Sequence, residues 1–157
     1  MPDLLVNLLK VPGPESLSEP GVVVRRAQPF EATPVRRFIE ENFALAWADE
    51  TSVGFANKPI SVFIATIEQR LVGFAAYECT RRGFFGPTGV RESVRGRGIG
   101  KLLLLHSLHG LRELGYVYAI IGGVGPVSFY EKTAGAIVIP GSEPGIYKDR
   151  LKPHDER

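Results

Sequence analysis

The segment Arg91 to Lys101 holds Gly96, Gly98 and Gly100 at alternate positions, with Arg91, Arg95, Arg97 and Lys101 set against one acid, Glu92. Glycines at this density let a ligand approach the backbone closely. A helix beginning here would add unpaired amides and the positive end of its dipole, which together favour a bound anion. The chemistry indicated is recognition of a phosphorylated ligand. Two common phosphate loops are excluded by spacing. A P-loop needs glycine five residues before Gly100 and Ser or Thr after the lysine, where this chain has Arg95 and Leu102. A dinucleotide fingerprint needs its third glycine one residue later than Gly100, and it follows the first strand of its fold.

The elements on either side must place this loop. After it, Lys101 to Leu114 has the clearest helical pattern in the chain, with Leu104, Leu105, Leu108 and Leu111 on one face and Gly115 to end it. Before it, Phe84 to Val90 makes a poor strand, because Gly86, Pro87 and Gly89 weaken a ladder and suggest a bulge or an edge. Further upstream, Ser61–Ile67 and Leu71–Glu78 read as a hairpin across the polar turn Glu68-Gln69-Arg70. Val22–Val24 is a β-branched strand, and Leu4–Val11 is a second candidate. A helix is expected from Thr33 as N-cap and Pro34 at the first helical position, with Val35, Phe38, Ile39 and Phe43 as its apolar face. A short helix carrying Trp47 follows. Tyr116–Ile121, the helix Pro126–Thr133, Ala136–Ile139 and a last strand at Gly145–Lys148 complete the order. Hairpins followed by strand-helix-strand predict a mixed sheet with flanking helices, its ligand near the carboxyl ends of the parallel strands.

The chain has 157 residues, which suits one domain: residues 21–150, preceded by a strand and loop extension (1–20) and followed by a frayed tail (151–157). A net charge of +2 argues against a nucleic-acid binder. Cys79 stands alone, so disulfides and multi-cysteine zinc sites are excluded. His106 and His109 lie three apart without an acid or cysteine to complete a metal site, and read as surface residues. The N-terminus lacks a signal-peptide pattern and no apolar stretch could span a bilayer, so a cytoplasmic protein without membrane contact is expected.

Arg95-x-x-Gly98-x-Gly100, between a strand and a helix in mid-chain, resembles the acetyl-CoA loop of the GNAT superfamily of N-acetyltransferases. Phe129-Tyr130-Glu131-Lys132 is similar to a second segment of that family. The resemblance runs from about Val22 to Tyr147. It implies an α/β fold with a mostly antiparallel central sheet, a splayed parallel strand pair and flanking helices. It also implies acetyl-CoA as donor to an amine acceptor, either a small molecule or a peptide, and homodimers are common in the family. Gly96, Arg97, Gly98, Ile99, Gly100, Lys101 and Arg95 would hold the pyrophosphate, with Gly89 and Val90 beside the pantetheine arm. Tyr130 would protonate the departing thiolate. The chain departs from the family at Gly123, where asparagine is usual, and at Pro126, where alanine is usual. The turn Gly122–Pro126 is offered as a source of backbone donors instead.

Amine attack on a thioester requires a proton acceptor. Glu78, at the end of a central strand, is the carboxylate assigned that task, its alternative being an exposed strand-end charge. Asp49 and Glu50 read as a solvated face, with binding of a cationic amine as the alternative. Trp47 and Tyr147 are placed in a pocket or the core, Tyr147 with the better claim to the acceptor site. The rival from another class is an acyl-CoA-binding sensor or interaction domain that has the loop without the chemistry.

Overall fold

Alternation and leucine spacing resolve into two layers of helix around one sheet. In the computed structural model, which describes residues 1–152, the strands are β1 (Leu4–Asn7), β2 (Val22–Arg26), β3 (Val62–Ile67), β4 (Arg70–Tyr77), β5 (Phe84–Val90), β6 (Tyr118–Ile121) and β7 (Ile137–Val138). The helices are α1 (Ala32–Asn42), α2 (Leu45–Gly54), α3 (Ile99–Glu113) and α4 (Val127–Ala134). The sheet order is β2-β3-β4-β5-β6-β1-β7, antiparallel throughout except for β5 and β6.

Period-two alternation sends Phe63 and Ala65 of β3 to one face and Val62 and Ile64 to the other. The first face packs under α3 and α4, with Leu103, Leu104, Leu105, Leu108 and Leu111 all within 1% of full burial. Each such leucine stabilises the fold by about 2 kcal/mol relative to exposure. The second face packs under α1 and α2 through Val35, Phe38, Ile39 and Ala48. Gly110 lets α3 sit against Tyr77: a Cβ there would lie 2.5 Å from the ring Cζ. Tyr77 is fully buried, its hydroxyl accepts a hydrogen bond from Arg26, and the Arg26 guanidinium lies 4.7 Å above the Phe63 ring.

Glu68 and Gln69 both take positive φ, 50° and 64°, which gives the β3–β4 hairpin a two-residue turn matched to the strand twist. Between β4 and β5 the register slips: Ala75 faces Thr88 while Tyr77 faces Phe85, leaving one extra residue on β5 at Gly86-Pro87. The poor strand propensity of this segment is therefore a bulge, as its glycine and proline imply.

Three expectations are corrected. Helix α1 begins two residues earlier than its expected Thr33 cap: Glu31 is the N-cap, and its carboxylate takes the Gln28 amide at 2.8 Å and the Arg25 guanidinium at 2.7 Å. Pro34 is thereby the third helical residue instead of the first, still within the turn whose amides have no helical partner. Gly145–Tyr147 forms a single 3-10 turn instead of a strand, because Gly145 sits at φ 59°. The place beside β6 is taken by β1, so the N-terminal segment is woven into the sheet, and Leu8–Lys10 turns away as a 3-10 helix capped by Asn7. Of the tail, Leu151 is 98% exposed and residues 153–157 lie outside the described residues.

Candidate functional site

Strands β5 and β6 pair at only two positions, Phe84 with Ile120 and Phe85 with Ile121. The bulge at Gly86-Pro87 then carries β5 away, and β6 ends at Ile121. A cleft of about 810 Å3 opens between them, within the range of small-molecule sites. The Arg91 amide donates to Val72 of β4 at 2.7 Å, so the alternate Val90 amide points to the opposite, vacated edge. Gly89 is required from behind: a Cβ would lie 2.5 Å from the Phe43 ring.

The loop meets the cleft where expected. Gly89, Val90, Arg95, Gly96, Gly98, Ile99, Gly100 and Lys101 all line it. Gly96 and Gly98 sit at φ 86° and 81°, conformations that favour glycine. Gly98 caps α3 with no side chain, and the first helical bond is Leu102 to the Gly98 carbonyl at 3.2 Å. The Ile99, Gly100 and Lys101 amides therefore lack a backbone acceptor among the described residues. Three donors on a helix dipole, flanked by Arg95 and Lys101, fit a pyrophosphate.

Arg97 does not join them. Its guanidinium turns outward to Glu19 at 2.9 Å and to the Pro20 carbonyl, so the nearby acid decides its direction. Arg91 lies over the Phe38 ring, 5.6 Å from its centroid. The glycine-rich turn also differs from expectation. The Gly123 amide donates to the Asp3 carboxylate at 2.9 Å and the Val124 amide to the Pro2 carbonyl at 3.0 Å. Both donors are committed to the N-terminal segment, which holds this wall of the cleft.

Tyr130 lines the cleft from α4, 7% exposed, beside Phe129 and Phe85. Burial pushes its phenol up to about 12, so the ring stays protonated across the working range. The structure does not bring Glu78 to the cleft. Glu78 sits at φ 58° at the end of β4, where its carboxylate takes the Gly83 amide at 2.5 Å and the Tyr116 hydroxyl at 2.9 and 3.0 Å. Those bonds close the β4–β5 connection and occupy the group.

A second lobe of about 380 Å3 adjoins the first, with Trp47, Phe85, Gly86, Gly122 and Gly123 shared between them. Here α2 separates its two acids. Asp49 is exposed and pairs with Arg36 at 2.8 Å, as a solvated face requires. Glu50, half-buried, lines the lobe and accepts the Thr80 hydroxyl at 2.5 Å. Tyr147 lines it opposite, its ring over Gly123. Phe85, Leu104 and Phe129 also form cleft wall, although their spacing reads as core.

The other nucleophile and metal candidates stay outside. Burial raises the Cys79 thiol to about 11, and the sulfur donates to the Tyr77 carbonyl at 3.2 Å. His109 bonds the Pro12 carbonyl, and the His106 ring lies tilted against Phe63 with centroids 5.2 Å apart. No metal-holding cluster of three or more His, Cys, Asp or Glu exists among the described residues, and no helix there is long and apolar enough to cross a membrane.

A sheet split beside a glycine-rich helix start defines a binder of extended, phosphorylated acyl carriers. Residues 58–133 match the family model described as the acetyltransferase (GNAT) domain. The folds of several solved structures agree. A GCN5-related N-acetyltransferase from Sphaerobacter thermophilus superimposes with a TM-score of 0.70 at 22% identity, over 88% of this chain and 48% of its own. The glucosamine N-acetyltransferase region of a fungal multi-domain β-N-acetylglucosaminidase gives 0.72 at 20% identity, over 88% of this chain and 19% of its own. A GNAT family acetyltransferase from Brucella melitensis, solved in complex with acetyl-CoA, gives 0.54 at 21%, over 75% and 86%. The chain thus spans a fifth to a half of the first two proteins, and what it shares at these identities is the fold. No curated protein matches it.

Proposed function

We propose that the chain transfers an acetyl group from acetyl-CoA directly to a primary amine. The observation that carries this reading is the parting of β5 from β6 beside the open amides of α3. Bound in the cleft, acetyl-CoA supplies the acetyl group activated as a thioester. The Ile99, Gly100 and Lys101 amides with Arg95 hold its pyrophosphate. The Val90 amide, on the vacated edge of β5, is placed to polarise the thioester carbonyl. Tyr130 gives its proton to the departing sulfur.

In this reading the proton acceptor is Glu50, since it borders the space an amine would occupy and Glu78 does not. Trp47 and Phe85 form the passage between the two lobes.

The test is release of free thiol from acetyl-CoA in the presence of an amine panel. Tyr130→Phe is expected to lower kcat by about 100-fold with cofactor affinity nearly unchanged. Because the phenol stays protonated up to about 12, activity is also expected to hold its plateau through pH 10. A kcat and pH profile that Tyr130→Phe leaves unchanged would remove Tyr130 from the role. Tight cofactor binding without thiol release on any amine would favour the sensor.

A further inference from the structure

The outer lobe carries one group of each charge without an ionic partner among the described residues. Glu50 has no cationic partner among the described residues, only the Thr80 hydroxyl. Arg150 has no carboxylate partner among them; its guanidinium lies over the Tyr147 ring, 5.4 Å from the centroid. Of the other charges nearby, the Met1 ammonium pairs with Glu143, while Asp3 and Arg81 bond backbone groups and do not line the lobe.

Both charges line the lobe. Glu50 is one helical turn from Trp47, which lines both lobes, and Arg150 is exposed. The Tyr147 phenol feels both: burial raises its pKa most, Glu50 and Asp3 raise it further, and Arg150 and Arg81 pull it back. An amine alone would answer Glu50 and leave the guanidinium without a partner. A molecule with a carboxylate behind its amine answers both, because a guanidinium fork matches carboxylate geometry.

We infer that the acceptor is of the α-amino-acid type, its nitrogen directed past Glu50 to the thioester and its carboxylate held by Arg150 against Tyr147. The lobe's volume of about 380 Å3 suits a molecule of that size. This rests on the acetyltransferase reading above. In the step, the ammonium first loses a proton to solvent, and the N–C bond then forms as the thioester C–S bond breaks. The second nitrogen proton passes to Glu50 and the sulfur leaves with a proton from Tyr130.

The experiment compares the free amino acids with their decarboxylated amines, phenylalanine against phenethylamine and lysine against cadaverine among them, by thiol release. The carboxylated member of the best pair is expected to have a kcat/KM higher by about tenfold or more. Arg150→Ala is expected to raise its KM by about tenfold and erase the preference, with Arg150→Lys restoring part. Equal or faster turnover of the decarboxylated amines overturns the inference while leaving the acetyltransferase reading intact. A preference that survives Arg150→Ala overturns it too. Absence of thiol release with either set sinks both.

Discussion

Gly110→Ala is expected to destabilise the protein by about 2 kcal/mol, although the same change in most helices stabilises by up to about 1 kcal/mol. The reversal comes from Tyr77. A Cβ at position 110 would meet the ring Cζ at 2.5 Å, the hydroxyl at 2.6 Å and Cε1 at 2.9 Å. The ring has no room to retreat: it is fully buried, stacks on Phe63 with centroids 6.2 Å apart, and is bound at its hydroxyl by Arg26. Either α3 lifts from β4 or the Arg26 bond breaks. Overpacking of this kind costs about 1–3 kcal/mol, and here it outweighs the propensity gain. A thermal melt is expected to show the midpoint lowered by about 4–8 °C. An unchanged or raised midpoint would mean that the contact relaxes freely.

The second large effect concerns the carboxylate that lines the outer lobe. Glu50→Gln keeps the size and polarity of the side chain and its contact with Thr80, and removes the ability to accept a proton. The expected result is a fall in kcat of about 100-fold, the usual contribution of a positioned acid or base. Glu78→Gln serves as the contrast. It weakens the bonds to Gly83 and Tyr116 that close the β4–β5 connection, so stability is expected to fall by about 1–2 kcal/mol while kcat stays within about twofold. If Glu78→Gln abolishes turnover in protein that remains folded, the two carboxylates must exchange roles.

The donor side of the cleft was legible because its information is local. Glycines at alternate positions, arginines beside them and a leucine-patterned helix behind them all lie within one stretch, and the backbone they specify lines the cleft. The weak propensity of Gly86, Pro87 and Gly89 could be read as a bulge for the same reason. The acceptor side depends on contacts between distant segments. Nothing adjacent to Glu50 says that Thr80 will meet it, and Asp49 looks identical in sequence until Arg36 claims it. Arg97 was misassigned because its partner Glu19 lies in a loop far upstream. Glu78 misled for a related reason: a strand-end carboxylate looks available until Tyr116 is found to hold it. The last strand was misplaced because Gly145 needs a positive φ, while the true neighbour of β6 comes from the other end of the chain.

That neighbour, β1, has a consequence for biosynthesis. Leu4 and Val6 are fully buried against elements that include β6, and Leu4 pairs with Ile121, more than a hundred residues later. On the ribosome, β1 therefore emerges long before its site exists. At ordinary elongation rates the wait is roughly 5–20 s, with Leu4, Leu5, Val6 and Leu8 as an uncovered apolar strand. Local hairpins such as β3–β4 form in microseconds and need no such delay. The sheet is thus completed from its middle, and the segment that anchors Gly123 through Asp3 is seated among the last. A nascent chain stalled before β6 should hold a ready β2–β5 sheet and a free β1, a substrate for chaperones that grip extended apolar peptides.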